Sequence, residues 1–325
     1  MGQKTASTLG DNHCQNEVIV IGDVLMDHQY WVENMPQTGD DEKIIMSSKS
    51  SGGSAANTAI ALSSLNIACG FCGRIGMDEA GQHIISQMKS VGLDITCIQY
   101  GESTGYTLTI IDKNSERTMF SSRGASDEPL ELTPKLRNFL NHAKILFLSG
   151  YCLVNEKQAE FSLEAAKVIK RAGGMVALDA SPNIGLVKEH ILCEMFALTN
   201  IILPNKSELQ TITKTCDIEQ GIDILLDKIP CIALKLGSEG SMLALNKGFK
   251  FLNGELLTEK KTFFVPAIKT NPIDTTGAGD SFNAGFMASF LKGECPEDWL
   301  KTGNALAARV ITEKGATSVF LKNYF

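Results

Sequence analysis

The stretch DTTGAGDSFNAGF, Asp274 to Phe286, sets an acid directly behind three residues with almost no side chain. From Asp280 onward the spacing predicts a helix. Gly277, Ala278 and Gly279 then fall at its N-terminus, where backbone N–H groups have no intrahelical acceptor. The helix dipole and converging amides suit a phosphate, and glycine lets that phosphate approach the backbone closely. A carboxylate at the same place repels an anion, so it makes chemical sense as a base. Asp280 would take the proton of a hydroxyl lying between it and a terminal phosphate, while the amides stabilise charge on the group in transfer. A structural reading is equally open here, because aspartate is a favoured helix N-cap.

Two further stretches favour the chemical reading. In SSGGSAANTAIALSSLN, Ser50 to Asn66, the Gly52-Gly53 pair enters a second helix with Asn57 in its early turns. Backbone bared at the glycines can approach a polyhydroxy ligand, and the Asn57 amide both donates to and accepts from hydroxyls. Helix capping is the plain alternative. In NKSEL, Asn205 to Leu209, Asn205 and Glu208 stand one helical turn apart just past a predicted strand. That pair suits a hard, oxygen-seeking cation held through water, and Mg²⁺ is the companion expected of a nucleoside triphosphate.

Positioning these groups requires a frame, and short apolar runs supply it. Glu17–Asp23, Ala143–Gly150, Gly174–Ser181, Asn200–Asn205 and Cys231–Gly237 are each rich in apolar residues and end in a polar residue or glycine. Helical patterns such as EKQAEFSLEAAKVIKRAGG lie between them, with a basic last turn and a glycine stop. Strand and helix alternating at this interval imply right-handed crossovers and a mostly parallel α/β sheet covered on both faces. Ligands of such sheets bind at the carboxyl ends of the strands, which puts Asp23, Gly150, Asp179, Asn205 and Gly237 at the working edge. Two segments break the alternation. Asp27–Lys49 and Ser103–Ser122 read as antiparallel strands, with turns at Thr38-Gly39 and Asp112-Lys113-Asn114, forming a small β lid or a decorative hairpin.

Composition excludes several classes. With 43% hydrophobic and 21% charged residues the chain is ordinary for a globular protein, and it has no apolar run of about 18 residues that would span a bilayer. A net charge of −7 disfavours sequence-independent nucleic-acid binding while leaving room for a basic pocket. Nine cysteines scattered through apolar stretches point to a reducing cytoplasm. The Cys69/Cys72 pair has redox or zinc spacing, but no second pair completes a metal site, so it reads as buried and structural. His28, His83, His142 and His190 lack metal-ligand spacing and read as surface or structural residues. Residues 1–16 read as a loose tail, and Ala6 stands where a myristoylation motif wants Ser or Thr.

The chain resembles the PfkB carbohydrate kinases, the ribokinase-like family. Its Gly52–Ala59 (GGSAANTA) and Asp274–Met287 (DTTGAGDSFNAGFM) segments match the two family motifs in order, and Asn205–Glu208 (NKSE) matches the internal NxxE element. The likeness runs from about Glu17 to the C-terminus. It implies a three-layer α/β/α kinase domain over 17–325, with a lid from about 27–50 and 99–126, and ATP-dependent phosphorylation of a hydroxyl. By position it makes Asp280 the base and Gly277, Ala278 and Gly279 the anion hole. Asp27, Gly52, Gly53 and Asn57 become substrate ligands, and Asn205 and Glu208 hold magnesium through water. Lys235, Gly237 and Gly240 line the nucleotide, with Lys235 near phosphate, and Asn304 contacts adenine. Asp274 and Glu313–Ser318 resemble the loop that holds a monovalent cation such as K⁺ in some members. No P-loop and no protein-kinase signature competes with this reading.

The acceptor is least defined. Tyr106 and Arg117 in the second lid segment would serve a sugar-acid carboxylate, or Arg117 is a solvated strand residue. Tyr30-Trp31 would stack a nucleobase. A monosaccharide or sugar acid is expected first and a nucleoside second, with a catalytically silent sugar-binding regulator as the alternative class. Exposed lid edges also suggest pairing into a homodimer.

Overall fold

The computed structural model describes residues 16–114 and 116–321. The expected tail, apart from residue 16, lies outside the described residues. Eight strands form the main sheet: β1 (Val18–Ile21), β4 (Cys69–Cys72), β9 (Ile145–Ser149), β10 (Met175–Asp179), β11 (Ile201–Ile202), β12 (Cys231–Lys235), β13 (Gly240–Leu245) and β14 (Lys261–Pro266). Their order is β14-β13-β12-β11-β10-β9-β1-β4. The six strands from β12 to β4 run parallel, and β13 and β14 add an antiparallel edge.

β1 shows why this sheet has three layers. All four of its residues are at most 1% exposed. Val18 and Val20 join one apolar cluster with Phe147, Ala177 and Phe286, and Ile19 and Ile21 join another with Leu146, Leu148 and Leu178. Side chains alternate across a strand, so a continuous apolar run is what a strand covered on both faces demands. Each such side chain contributes roughly 1.5–3 kcal/mol on burial, and a charge at Val20 would break the element.

The helices that cover the sheet are α1 (Ser54–Ser64), α2 (Glu79–Ser90), α3 (Pro134–His142), α4 (Glu156–Arg171), α5 (Glu189–Leu198), α6 (Lys206–Thr213), α7 (Ile218–Leu226), α8 (Ala278–Leu291) and α9 (Pro296–Val310). Helix α4 follows its sequence signals: Asn155 accepts from the N–H groups of Lys157 and Gln158 at the start, and Lys170 and Arg171 occupy the last turn. Helix α8 is buried from Ser281 through Phe290. An all-round buried helix lies between other elements, and α8 packs against α1 and α9.

A second sheet of four strands stands over the main sheet's carboxyl edge, with β2 (Leu25–Val32), β3 (Ile44–Gly52), β7 (Thr104–Ile111) and β8 (Arg117–Gly124) in the order β3-β2-β7-β8. The outer pairs are antiparallel as expected, but the central β2–β7 pair is parallel. Two short strands, β5 (Arg74–Gly76) and β6 (Gln99–Gly101), pair with each other. Residues 99–101 thus lie outside the four-stranded lid. Cys69 and Cys72 lie inside β4, where burial pushes both thiols well above their ordinary range. Among the described residues no group of three or more His, Cys, Asp or Glu is placed to hold a metal, and no helix is long and apolar enough to cross a membrane.

Candidate functional site

Gly277 is the N-cap of α8; its φ of 76° lies in the left-handed region, and Ser281 N–H donates to its carbonyl. Asp280 is therefore inside the first turn and not at the N-cap. Its oxygens are not spent on its own helix. Ser54 Oγ donates to Oδ1 at 2.7 Å and Asn57 Nδ2 donates to Oδ2 at 2.8 Å, both from α1. The capping reading of Asp280 fails on these contacts. Asn57 is itself 5% exposed, and its Oδ1 is buried without a hydrogen-bond partner, an acceptor left over for a ligand hydroxyl.

Ser54 is one of the residues that the sequence did not single out. It also lies 3.2 Å from Asp179 Oδ2, and Lys235 Nζ donates to Asp179 Oδ1 at 2.8 Å and to Asn283 Oδ1 at 3.2 Å. A chain Asn57–Asp280–Ser54–Asp179–Lys235–Asn283 thus crosses from α1 through α8 to the ends of β10 and β12. The available signal was periodicity, since Ser54 and Asn57 are three apart on one helix and so share a face. Burial pushes the Asp280 carboxyl up to about 6, helped by Asp179 and opposed by Asn57, Ser54 and Lys235. Burial alone would lower Lys235, but Asp179 and Glu208 hold its ammonium above the ordinary value.

Asp27 belongs to the same acidic floor. Burial, then Asp23, Asp280 and Asp274, push it up to about 7. Its carboxylate fills the space beside Gly52, where a Cβ would come within 2.3 Å of Oδ2. A bare residue at 52 is thus what lets β2 and β3 pair with Asp27 turned inward. Asp23 is 4% exposed, with Oδ1 unpartnered and Oδ2 3.3 Å from Arg123 Nη2. The Arg123 guanidinium lies 4.9 Å from the Tyr151 ring centre. The sequence singled out neither Arg123 nor Tyr151, because both owe their place to packing between β8 and the end of β9.

Beside the glycine turn opens a cleft of about 780 Å³. Lys235, Gly237, Gly240, Gly279 and Asn304 line it together with apolar Pro266, Ile268, Phe282 and Ile311. A Cβ built on Gly279 would lie 3.7 Å from Lys235 Nζ, so an ammonium flanks the turn. The Asn304 amide donates to the carbonyls of Val265 and Pro266, which fixes the end of β14 against α9.

Asn205 and Glu208 come together as a reciprocal cap at the start of α6. Asn205 Oδ1 accepts from Glu208 N–H, while Glu208 Oε2 accepts from Asn205 N–H and Oε1 accepts from Asn205 Nδ2. The carboxyl is 5% exposed, and burial and Asp179 push its pKa up against the pull of Lys235. Asp274 stands at the start of the segment that leads into the glycine turn, and Arg117 pairs with it at 3.5 Å. Trp31 lies under the Lys314 ammonium, which stands 4.6 Å from its ring centre.

Comparison with known proteins agrees with this geometry. The family described as pfkB family carbohydrate kinase matches residues 15–323. The chain is 27% identical over 303 residues to a nucleoside kinase of Methanocaldococcus jannaschii, covering 92% of this chain and 91% of that one. It is 28% identical over 316 residues to a 5-dehydro-2-deoxygluconokinase of Shouchella clausii, covering 93% and 92%. The structure of Arabidopsis thaliana ribokinase complexed with ribose and ATP superposes with a TM-score of 0.78 at 23% identity, covering 94% of this chain and 99% of that one. The chain belongs to the pfkB family of carbohydrate kinases, ATP-dependent phosphotransferases that act on an alcohol acceptor.

Proposed function

We propose that this kinase phosphorylates a hydroxyl of an uncharged monosaccharide, with Asp280 as the base and Gly277, Ala278 and Gly279 as the cradle of the transferred phosphoryl group. One observation carries the reading: the Asp280 carboxylate is held from helix α1 by Ser54 and Asn57, three residues from a left-handed glycine at a helix N-terminus. Asp27, Gly52, Gly53 and Asn57 bind the acceptor's other hydroxyls, the unpartnered Asn57 Oδ1 accepting one of them. Ionised Asp280 accepts the proton of the reacting hydroxyl as the P–O bond to the acceptor forms and the bond to the ADP oxygen breaks. Lys235 and the first-turn amides of α8 face the charge on the transferring group.

The apolar wall of the cleft suits an adenine ring, with Lys235, Gly237, Gly240 and Asn304 along the nucleotide. Asn205 and Glu208 fit Mg²⁺ as outer ligands. Each Glu208 oxygen holds one internal donor, and a carboxylate retains lone pairs for water beyond that. A Mg²⁺ ion held there with the nucleotide would neutralise phosphate charge. Both guanidiniums near the acceptor already have acidic partners, Arg123 with Asp23 and Arg117 with Asp274, which favours a neutral sugar over a sugar acid. The nucleoside kinase relative keeps a nucleoside as the second acceptor class.

We further infer that residues 17–325 act as one catalytic unit in the cytoplasm, supported by the eight described cysteines, all of them free. The lid edges β3 and β8 expose Ile44, Ile45, Met46, Met119 and Phe120, which supports pairing with a second copy through the lid. Light scattering that finds a monomer at all working concentrations would remove the dimer. ADP release measured against pentoses, hexoses, sugar acids and nucleosides, with and without Mg²⁺, tests the rest. Turnover of a neutral monosaccharide that needs Mg²⁺ is expected. Preferential turnover of a nucleoside or sugar acid replaces the acceptor assignment, and saturable sugar binding without ADP release overturns the catalytic one.

A further inference from the structure

Asp23 stands where the start of α1, the lid and the acidic floor of the cleft meet. Its backbone is locked to α1: Ala56 N–H donates to the Asp23 carbonyl at 3.3 Å, and a Cβ built on Gly53 would lie 2.6 Å from that same oxygen. On the lid side, Ser126 Oγ donates to the Val24 carbonyl at 2.8 Å and accepts from the Val24 N–H at 3.2 Å. The chain just past β8 is thus pinned to the residue that follows Asp23. Strand β8 therefore delivers Arg123 to a fixed place, with Nη2 3.3 Å from Asp23 Oδ2 and the guanidinium 4.9 Å from the Tyr151 ring centre.

We propose that Asp23 is a specificity-determining residue: it occupies the Arg123 guanidinium and offers its other oxygen to the acceptor, so that the site admits a hydroxyl there and refuses a carboxylate or phosphate. This rests on Asp27, Gly52, Gly53 and Asn57 being the acceptor's ligands.

The two partners are unequally placed. The Asp23 side chain is 4% exposed, and among the described residues nothing donates to its Oδ1. The Arg123 side chain is 25% exposed, so a ligand can reach it. An arginine fork with no acid beside it grips carboxylates and phosphates through paired hydrogen bonds. Beside Asp23 its charge is balanced, and an arriving anion also meets a buried oxygen that has no donor. A hydroxyl meets no such barrier, because it donates to that oxygen and accepts from the guanidinium. The same charge reaches the neighbouring groups. After burial, Asp23 does most to push Asp27 up, ahead of Asp280 and Asp274. The Tyr151 hydroxyl is pushed up to about 12 by burial and then by Asp23, with Asp280 and Asp179 acting in the same sense against the pull of Arg123. An anionic acceptor would add one more negative charge to this set, and repulsion of the wrong ligand is as effective a source of selectivity as attraction of the right one.

The test takes the neutral sugar that wild type turns over best and its analogue bearing a carboxylate at the end away from the phosphorylated hydroxyl. The ratio of their kcat/KM values, read by ADP release, is compared in wild type, Asp23→Asn, Arg123→Gln and the double variant, with melting midpoints to show that each is folded. Wild type is expected to favour the neutral sugar by about a hundredfold. Asp23→Asn keeps the shape and unmasks Arg123, so the ratio should shrink by roughly tenfold or more, chiefly through a lower KM for the acid. The double variant should lose that gain. Arg123→Gln alone leaves the Asp23 charge in place and should widen the ratio; a narrower one overturns the proposal without any Asp23 variant. An unchanged ratio in folded Asp23→Asn, or a gain that survives the loss of Arg123, overturns the role of Asp23 and leaves the acceptor reading standing. A wild type that prefers the acid, or turns over no neutral sugar, removes the acceptor reading and this proposal with it.

Discussion

At the scale of the residue, the proposed base must be ionised to work, and its neighbours set when that happens. With its carboxyl near 6, Asp280 is a free base at neutral pH and loses that form as pH falls. We expect kcat/KM to fall about tenfold per pH unit below about 6, and Asp280→Asn to lose on the order of 10²–10⁴ in kcat with ATP binding kept. Ser54→Ala removes a donor that lowers the Asp280 pKa, so the acid limb should move to higher pH, a shift that a pH–rate profile reads directly. Glu208 raises a different question, because it both caps α6 and interacts electrostatically with Lys235 and Asp179. Glutamine can keep the cap while removing the charge. Glu208→Gln should therefore raise the Mg²⁺ concentration needed for half-maximal rate with little change in melting midpoint; equal Mg²⁺ dependence would leave the residue a cap alone. The N-x-x-E spacing was read only as a cation pair, although it suits the capping box seen at α6 equally well. Local spacing cannot separate them, because what differs is the distance of the pair from Lys235 and Asp179.

At the scale of the element, the left-handed entry to α8 ties its cleft end to the loop at 313–318. Gly277→Ala meets two costs: a left-handed backbone unfavourable to alanine by roughly 1–2 kcal/mol, and a Cβ within 2.5 Å of Ala316. Relief of that overlap moves the proposed phosphoryl cradle, so we expect a lower melting midpoint and a larger loss in kcat than in the acceptor's KM. An unchanged midpoint and rate would show that the turn does not carry the site. The strands around this entry were legible to different degrees. β1, β9, β10 and β12 announced themselves as apolar runs because burial on both faces needs no partner to be named. The antiparallel β13–β14 edge was not called, because Gly240–Leu245 and Lys261–Pro266 are joined by a long segment whose pairing leaves no local pattern. The parallel β2–β7 contact was hidden for the same reason, since about eighty residues intervene between partners such as Asp27 and Thr107. Asp179, named only as a strand end, acquired its role through the neighbouring order of β10, β11 and β12.

At the scale of the whole molecule, the site collects more negative charge than a stability optimum would choose. Asp27 and Asp280 have folded values near 7 and near 6 against 3.8 in an unfolded chain. A raised carboxyl binds its proton more tightly when folded, so the stability it contributes is complete below about 3.8 and is lost as pH rises through 6 and 7. Asp78, Asp94 and Asp274 are shifted the other way and gain their effect below that window. His28, lowered by burial and by Lys49, opposes the trend slightly, but it is only partly buried and therefore screened. Between pH 5.5 and 8 Asp27 and Asp280, with the raised Glu208 acting in the same sense, should dominate and lower wild-type stability by on the order of 2 kcal/mol. Melting midpoints over that range should fall by a few degrees for wild type and much less for Asp27→Asn. At pH 8 that variant should melt above wild type even as it loses affinity for the acceptor. A wild-type midpoint that rises with pH across the window would mean that the floor of the cleft is not a set of strained acids, and the assignment of Asp280 as a base poised near 6 would go with it.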